Sequence, residues 1–178
     1  MSQKIAVVGA GFIGRSWAMV FSKAGHHVSL YDIDPTAVSE AMNLLEINIA
    51  DLESNGLISS KDDLLGRIKP YKTLESAVEE AEWVQENALE NVQIKRELFS
   101  RIDELLPETT ILASSTSAIS CSDISNGMKG AGRIIVAHPA NPPYLLPIVE
   151  LSGAPETKDE NIFRAKELLE AADMEVIT

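Results

Sequence analysis

Cysteine is almost absent: Cys121 is the only one in 178 residues. No internal disulfide can form, which suits a reducing cytoplasm and leaves the fold to its hydrophobic core. Cys121 itself reads as a small packing residue. Positive charge is also short. Fifteen Lys and Arg stand against 27 Asp and Glu, a formal net charge of −12. That balance argues against nucleic acid or an anionic membrane surface as a partner. It leaves room for an anionic ligand in a local cleft. No apolar run reaches the ~18 residues that a membrane span needs. The first apolar run is too short for a signal peptide. No metal site is expected.

What is present suffices for one good-sized domain. Hydrophobic residues make up 45% of the chain, and a chain of this length buries roughly 70% of its unfolded surface. The first fourteen residues set the terms. Ile5-Ala6-Val7-Val8 is short, apolar and mostly β-branched, the pattern of a buried parallel strand. Gly9-Ala10-Gly11-Phe12-Ile13-Gly14 follows at once, then an amphipathic helix to about residue 24. In that context each glycine has a task. Gly9 permits the turn, Gly11 lets a pyrophosphate approach the backbone, and Gly14 lets the helix pack against the sheet. The helix N-terminus, with the backbone around Phe12 and Ile13, offers N–H groups to the phosphates. A second strand, residues 28–31, ends in Asp32, 21 residues after Gly11. An acidic residue there accepts the adenosine ribose hydroxyls. It would repel a 2′-phosphate, and Ile33, Asp34 and Pro35 bring no Arg to hold one. The expected cofactor is NAD.

Further along, Phe12, Trp17, Val20 and Phe21 share one side of the first helix, and Gly25 ends it. His26 and His27 read as solvated turn residues. A helical hairpin spans residues 35–53 and 61–68, with Asn55-Gly56 between and Ser59 or Ser60 as a cap. It packs on the sheet or faces a substrate or partner. Residues 71–73 suggest an edge strand, and Thr73 caps a short helix over 74–80. Residues 83–86 form the fourth strand, and 91–106 a helix with Ile94, Leu98 and Ile102 inward. A strand over 110–113 opens into Ser114-Ser115-Thr116-Ser117. Ser120 or Ser122 is enough to cap the segment after it, so this hydroxyl cluster calls for another reason. Strand 134–137 delivers His138, a proline-stiffened turn follows, and residues 145–151 return in extended form carrying Glu150. A helix over 159–172 and a strand over 175–177 close the chain. Alternating strands and helices imply an α/β fold, a Rossmann-type doubly wound and mainly parallel sheet with the hairpin inserted after strand two.

His138 lies at the end of a buried strand, and Glu150 follows twelve residues later on the returning segment. A carboxylate on one imidazole nitrogen fixes the tautomer and leaves the other nitrogen to exchange a proton. Hydride transfer from an alcohol to NAD needs such a group. On spacing alone, a satisfied core histidine and an exposed glutamate compete with that dyad.

Other residues carry a resemblance. Ser114-Ser115-Thr116-Ser117, His138-x-x-Asn141-Pro142, Val149-Glu150, and Glu86-Asn87-Ala88-Leu89-Glu90-Asn91 with Lys95 and Leu98-Phe99 resemble, in order and spacing, the NAD-binding domain of the L-3-hydroxyacyl-CoA dehydrogenase family. The similarity covers essentially the whole chain. Arg15-Ser16-Trp17-Ala18-Met19 and His138-Pro139-Ala140-Asn141-Pro142-Pro143-Tyr144 most resemble its L-gulonate 3-dehydrogenase (lambda-crystallin) branch. A carnitine 3-dehydrogenase branch shares part of that turn. Acyl-CoA enzymes tend to carry aromatic residues right after the histidine, where this chain has Pro139-Ala140.

The resemblance implies roles. His138 is the general acid/base, Glu150 orients it, Ser117 bonds the substrate oxygen and Asn141 shapes the site. Glu90 and Lys95 position cofactor and substrate near the nicotinamide, although Glu90 also suits a helix N-terminus. The substrate is a 3-hydroxy acid or a 3-hydroxyacyl-CoA, with a preference for the small free acid. A non-catalytic, crystallin-like NAD-binding protein is the other reading. In the family a helical domain follows, closes the site and forms a homodimer. Residues 1–178 are therefore expected to be the cofactor domain, inactive alone.

Overall fold

The computed structural model describes residues 2–178. Eight strands form one sheet in the order β3-β2-β1-β4-β5-β6-β7-β8. They are Lys4–Val8 (β1), His27–Tyr31 (β2), Ile68–Pro70 (β3), Trp83–Glu86 (β4), Ile111–Ser114 (β5), Ile134–Pro139 (β6), Ile148–Gly153 (β7) and Glu175–Ile177 (β8). The first six run parallel to their neighbours, β7 is antiparallel to β6, and β8 runs parallel to β7. The doubly wound, mainly parallel sheet expected from the alternation of elements is what forms. Its helices are Phe12–Lys23 (α1), Pro35–Ser54 (α2), Lys61–Arg67 (α3), Leu74–Val78 (α4), Val92–Leu105 (α5), Cys121–Ser125 (α6) and Asp159–Ala171 (α7).

Side chains alternate across each strand and build a core on each face. Ile5 and Val7 join one core with Trp17, Phe21, Leu45, Ile49 and Leu169. Ala6 and Val8 join the other with Phe99, Ile102, Leu112 and Ile124. The α2–α3 hairpin packs on the first face through Val38, Ala41, Leu45, Ile49 and Leu64. Its caps follow the sequence: Asp34 accepts from the Thr36 N–H ahead of Pro35, and Ser60 accepts from Asp63. Cys121 is buried, as expected.

Several details differ from expectation. The edge strand is Ile68–Pro70, not residues 71–73. Ile68 is the buried residue that docks it beside Val28, and Pro70 needs no donor at an edge. On α5 the inward residues are Lys95, Phe99 and Ile102, whereas Ile94 is exposed. Phe12, the first residue of α1, also leaves the core and is 45% exposed. Arg15 stacks over its ring at 5.8 Å. His26 is buried rather than solvated. Its Nδ1 accepts the Gln3 N–H at 3.1 Å and its ring meets Phe21 edge-on. Burial pushes its pKa down, as expected for an imidazole kept neutral.

Candidate active site and dinucleotide crevice

The strand order reverses between β1 and β4, and in open α/β sheets ligands bind at that switch point. Here the turn after β1 and the segment after β4 touch. A Cβ on Gly9 would stand 2.5 Å from the Asn87 carbonyl oxygen, and Gly9 has φ +99°, a conformation that favours glycine. Gly14 is closer still, its absent Cβ falling 1.8 Å from the Gly9 carbonyl oxygen. Gly11 differs: nothing lies within 4 Å of its missing Cβ. Open space therefore fronts the N-terminus of α1, where no side chain caps the helix. Unspent N–H groups and the helix dipole suit a pyrophosphate. Asp32 closes this end. Its Oδ2 accepts from Ala10 N–H at 2.7 Å and its Oδ1 from Asp34 N–H at 3.0 Å. The carboxylate thus braces the glycine turn and retains lone pairs for ribose hydroxyls. These residues fit the dinucleotide.

On the far side of the switch point lies a buried ion pair. Lys95 is 1% exposed and Glu86 is fully enclosed. Lys95 Nζ donates to both Glu86 oxygens, at 2.8 and 3.0 Å. Glu86 also accepts from Ala88 N–H at 2.6 Å and from the Ser114 hydroxyl at 2.5 Å. Lys95 therefore sits behind Glu90, which it meets at 3.5 Å, rather than in the open crevice. Glu90 bridges to the next loop. Its Oε1 accepts from Thr116 Oγ1 at 2.5 Å and from the Ser117 and Ala118 N–H groups at 3.1 Å. The hydroxyl cluster after β5 thereby gains its reason: Ser114 holds Glu86 and Thr116 holds Glu90. Ser120 caps α6 separately.

Partial burial would by itself raise the Glu90 carboxyl. The Thr116 hydroxyl, the Ala118 and Ser117 N–H groups and Lys95 together outweigh it and hold the group below the usual glutamate value. A depressed folded-state pKa adds stability above the unfolded value, and that stability is lost as pH falls through the folded one. Amide shifts of Ser117 and Ala118 are therefore expected to titrate in acid, with a midpoint below that of an ordinary glutamate. A midpoint at or above the ordinary value would contradict this bracing.

Strands β6 and β7 place His138 directly opposite Glu150. His138 Nδ1 and Glu150 Oε2 are 2.9 Å apart, so the dyad suggested by spacing is formed. His138 is about one third exposed, with a ring nitrogen free for a ligand. Ser114 pairs with Val136, so the loop that leads to Ser117 starts beside the strand end that bears His138. Ser117 is exposed, and its hydroxyl makes no hydrogen bond among the described residues. Asn141 is exposed in the turn that follows. Glu86 and Ser115 escaped the sequence reading as contributors. The available signal was a pair of polar residues, Gln85-Glu86, in a strand otherwise reading as core.

A glycine turn at the switch point, an acidic residue closing β2 and a histidine–carboxylate pair at the far strand ends define a dinucleotide-binding domain. The chain belongs to the 3-hydroxyacyl-CoA dehydrogenase family, matching its NAD binding domain over residues 4–178. Its cofactor is NAD. It is 40% identical over 168 residues to the lambda-crystallin homolog of Bos taurus, covering 93% of this chain and 52% of that protein. It is 36% identical over 176 residues to L-carnitine dehydrogenase of Streptomyces griseus, covering 99% of this chain and 52% of that protein. The 3-hydroxybutyryl-CoA dehydrogenase structure from Escherichia coli K12 superposes with a TM-score of 0.95 at 27% identity, covering 99% of this chain and 38% of that one. The chain spans about half the length of the curated relatives it matches.

Proposed function

We propose that this chain is the cofactor half of an NAD-dependent dehydrogenase that oxidises the hydroxyl of a 3-hydroxy acid or its CoA ester. The observation that carries the reading is the His138–Glu150 pair at 2.9 Å, at the crevice end of β6. With Glu150 accepting, His138 Nδ1 carries the proton and Nε2 presents a lone pair. That nitrogen takes the hydroxyl proton as the carbon gives up hydride, and returns it in the reverse direction. NAD, when bound, supplies the hydride acceptor. Ser117, whose hydroxyl is unspent, bonds the substrate oxygen, and Asn141 borders the same space. Glu90 faces the nicotinamide end, and Lys95 acts through Glu90 and Glu86.

A small free acid is preferred over a CoA ester. The turn after His138 begins Pro139-Ala140, with no aromatic side chain, and relatives at 40% and 36% identity bear the lambda-crystallin and L-carnitine dehydrogenase names. Catalysis is cytoplasmic and uses a further helical domain that completes the pocket and pairs two subunits. The 178-residue chain alone then binds NAD and turns over little. A crystallin-like binding role is the second reading, favoured by the lambda-crystallin relatives.

The test is a panel of L-gulonate, L-carnitine, 3-hydroxybutyrate and a 3-hydroxyacyl-CoA, followed by NADH absorbance, with and without a helical domain supplied. A 3-hydroxy substrate is expected to yield NADH, and His138→Ala to slow the rate about 100-fold. No rate with any substrate would leave only the binding role.

A further inference from the structure

Both tryptophans of the chain donate into one polar network. Trp17 and Trp83 are fully buried. Trp17 Nε1 donates to Ser115 Oγ at 3.0 Å, and Trp83 Nε1 to Gln85 Oε1 at 2.9 Å. Gln85, itself fully buried, donates through Nε2 to the same Ser115 oxygen at 2.7 Å. Ser115 in turn donates to Asn87 Oδ1 at 2.8 Å. A hydroxyl has one proton and two lone pairs, so every capacity of Ser115 is used.

The parts it joins belong to different halves of the crevice. Asn87 is anchored to β1, its N–H donating to Val8 O at 2.7 Å, and its carbonyl presses on Gly9. Trp17 lies on α1, the helix that the glycine turn starts. Gln85 also reaches Ala137 O, the residue before His138, at 3.5 Å. Backbone ladders already pair β1 with β4, β4 with β5 and β5 with β6. The side-chain network adds a lock across these strands, between the glycine turn and the strand that bears His138. Trp17, Trp83 and Gln85 are buried and Ser115 and Asn87 partly so, and a polar network whose members are all satisfied specifies one arrangement.

We propose that Ser115 is a positioning residue that couples the dinucleotide turn to the acid–base histidine, so that cofactor binding at Gly9–Gly14 orders the strand end bearing His138. The proposal rests on the NAD and His138 assignments above. Without the Ser115 hydroxyl, Trp17 and Gln85 lose their shared acceptor and Asn87 its donor. The glycine turn and the His138 strand then respond to a ligand separately.

Hydrogen exchange of the full 178-residue chain with and without NADH tests this. In the wild type, NADH is expected to slow exchange at residues 9–15 and, through Ser115, about fivefold or more at 134–141, the lower end of ordinary coupling strengths. Ser115→Ala is expected to keep the protection at 9–15 and lose it at 134–141. Ser115→Thr, which retains a hydroxyl, is expected to keep both. Trp17→Phe removes one donor and preserves the aromatic stack, and it should weaken the effect if Ser115→Ala fails to fold. Protection at 134–141 that survives Ser115→Ala would overturn the coupling. So would faster exchange spread evenly over the chain, which marks a merely structural hydroxyl. A wild type unprotected at 9–15 would instead sink the NAD assignment, and the coupling with it.

Discussion

Replacing Lys95 with methionine is expected to destabilise the chain by ~3–5 kcal/mol, the usual cost of removing one partner from a buried ion pair. Lys95 and Glu86 are 1% and 0% exposed. Methionine has nearly the length of lysine and fills the space, so little of the effect comes from packing. What remains is the Glu86 carboxylate, enclosed between Ala88 N–H and the Ser114 hydroxyl with its cation gone. That carboxylate is left buried without its counter-ion. The Glu86→Gln, Lys95→Met double variant should recover much of the loss, because neither charge is then stranded. Urea midpoints for the four proteins of this cycle check the expectation. Equal stability of Lys95→Met and wild type would contradict the burial of the pair.

Gly14→Ala should abolish NAD binding and destabilise the chain, whereas Gly11→Ala should fold normally and weaken binding alone. The contrast follows from what each added methyl would meet. At Gly14 the Cβ falls 1.8 Å from Gly9 O and 3.0 Å from Gly9 C, both backbone atoms. Gly9 cannot retreat. Its N–H is tied to Tyr31 O at 2.8 Å, and Asn87 O lies against its other side. Helix α1 must then lift from the sheet and the phosphate turn must deform, an overpacking cost of about 1–3 kcal/mol. At Gly11 the backbone is ordinary, with φ −63°, and nothing stands within 4 Å. An alanine fits there without strain, with stability within about 0.5 kcal/mol of wild type, and its methyl takes the space a pyrophosphate would use. Thermal melts and NADH titration separate the two. Equal losses of binding and stability in both variants would contradict these roles.

The features legible in the sequence were those set by local rules. A glycine turn between a strand and a helix shows itself within fourteen residues, and Asp32 follows at a distance set by one helix and one turn. The His138–Glu150 pair was only suggested by the return of the chain after a rigid turn; spacing left it open, the family resemblance favoured it, and the β6–β7 register places the two face to face. What escaped depends on groups that meet only through the sheet. Lys95 lies on a helix with apolar spacing around it, where lysine ordinarily points to water. Its partner Glu86 sits nine residues earlier at a strand end, and nothing local requires the two to be enclosed. The inward choice of Phe99 over Ile94 turns on that rotation of α5. The Ser115 network joins residues 17, 83, 85, 87 and 115 from three separate stretches, so no single window of sequence contains it. His26 looked like a solvated turn residue because its acceptor role toward Gln3 spans 23 residues.

The glycine turn and Asp32 make this chain an NAD-binding domain. Calorimetric titration of the purified 178-residue chain with NAD and with NADP tests it most directly. NAD is expected to bind saturably, one to one, with NADP at least tenfold weaker because Asp32 repels a 2′-phosphate, a difference of about 1.4 kcal/mol. Equal affinity for the two, or no binding of either, would contradict it.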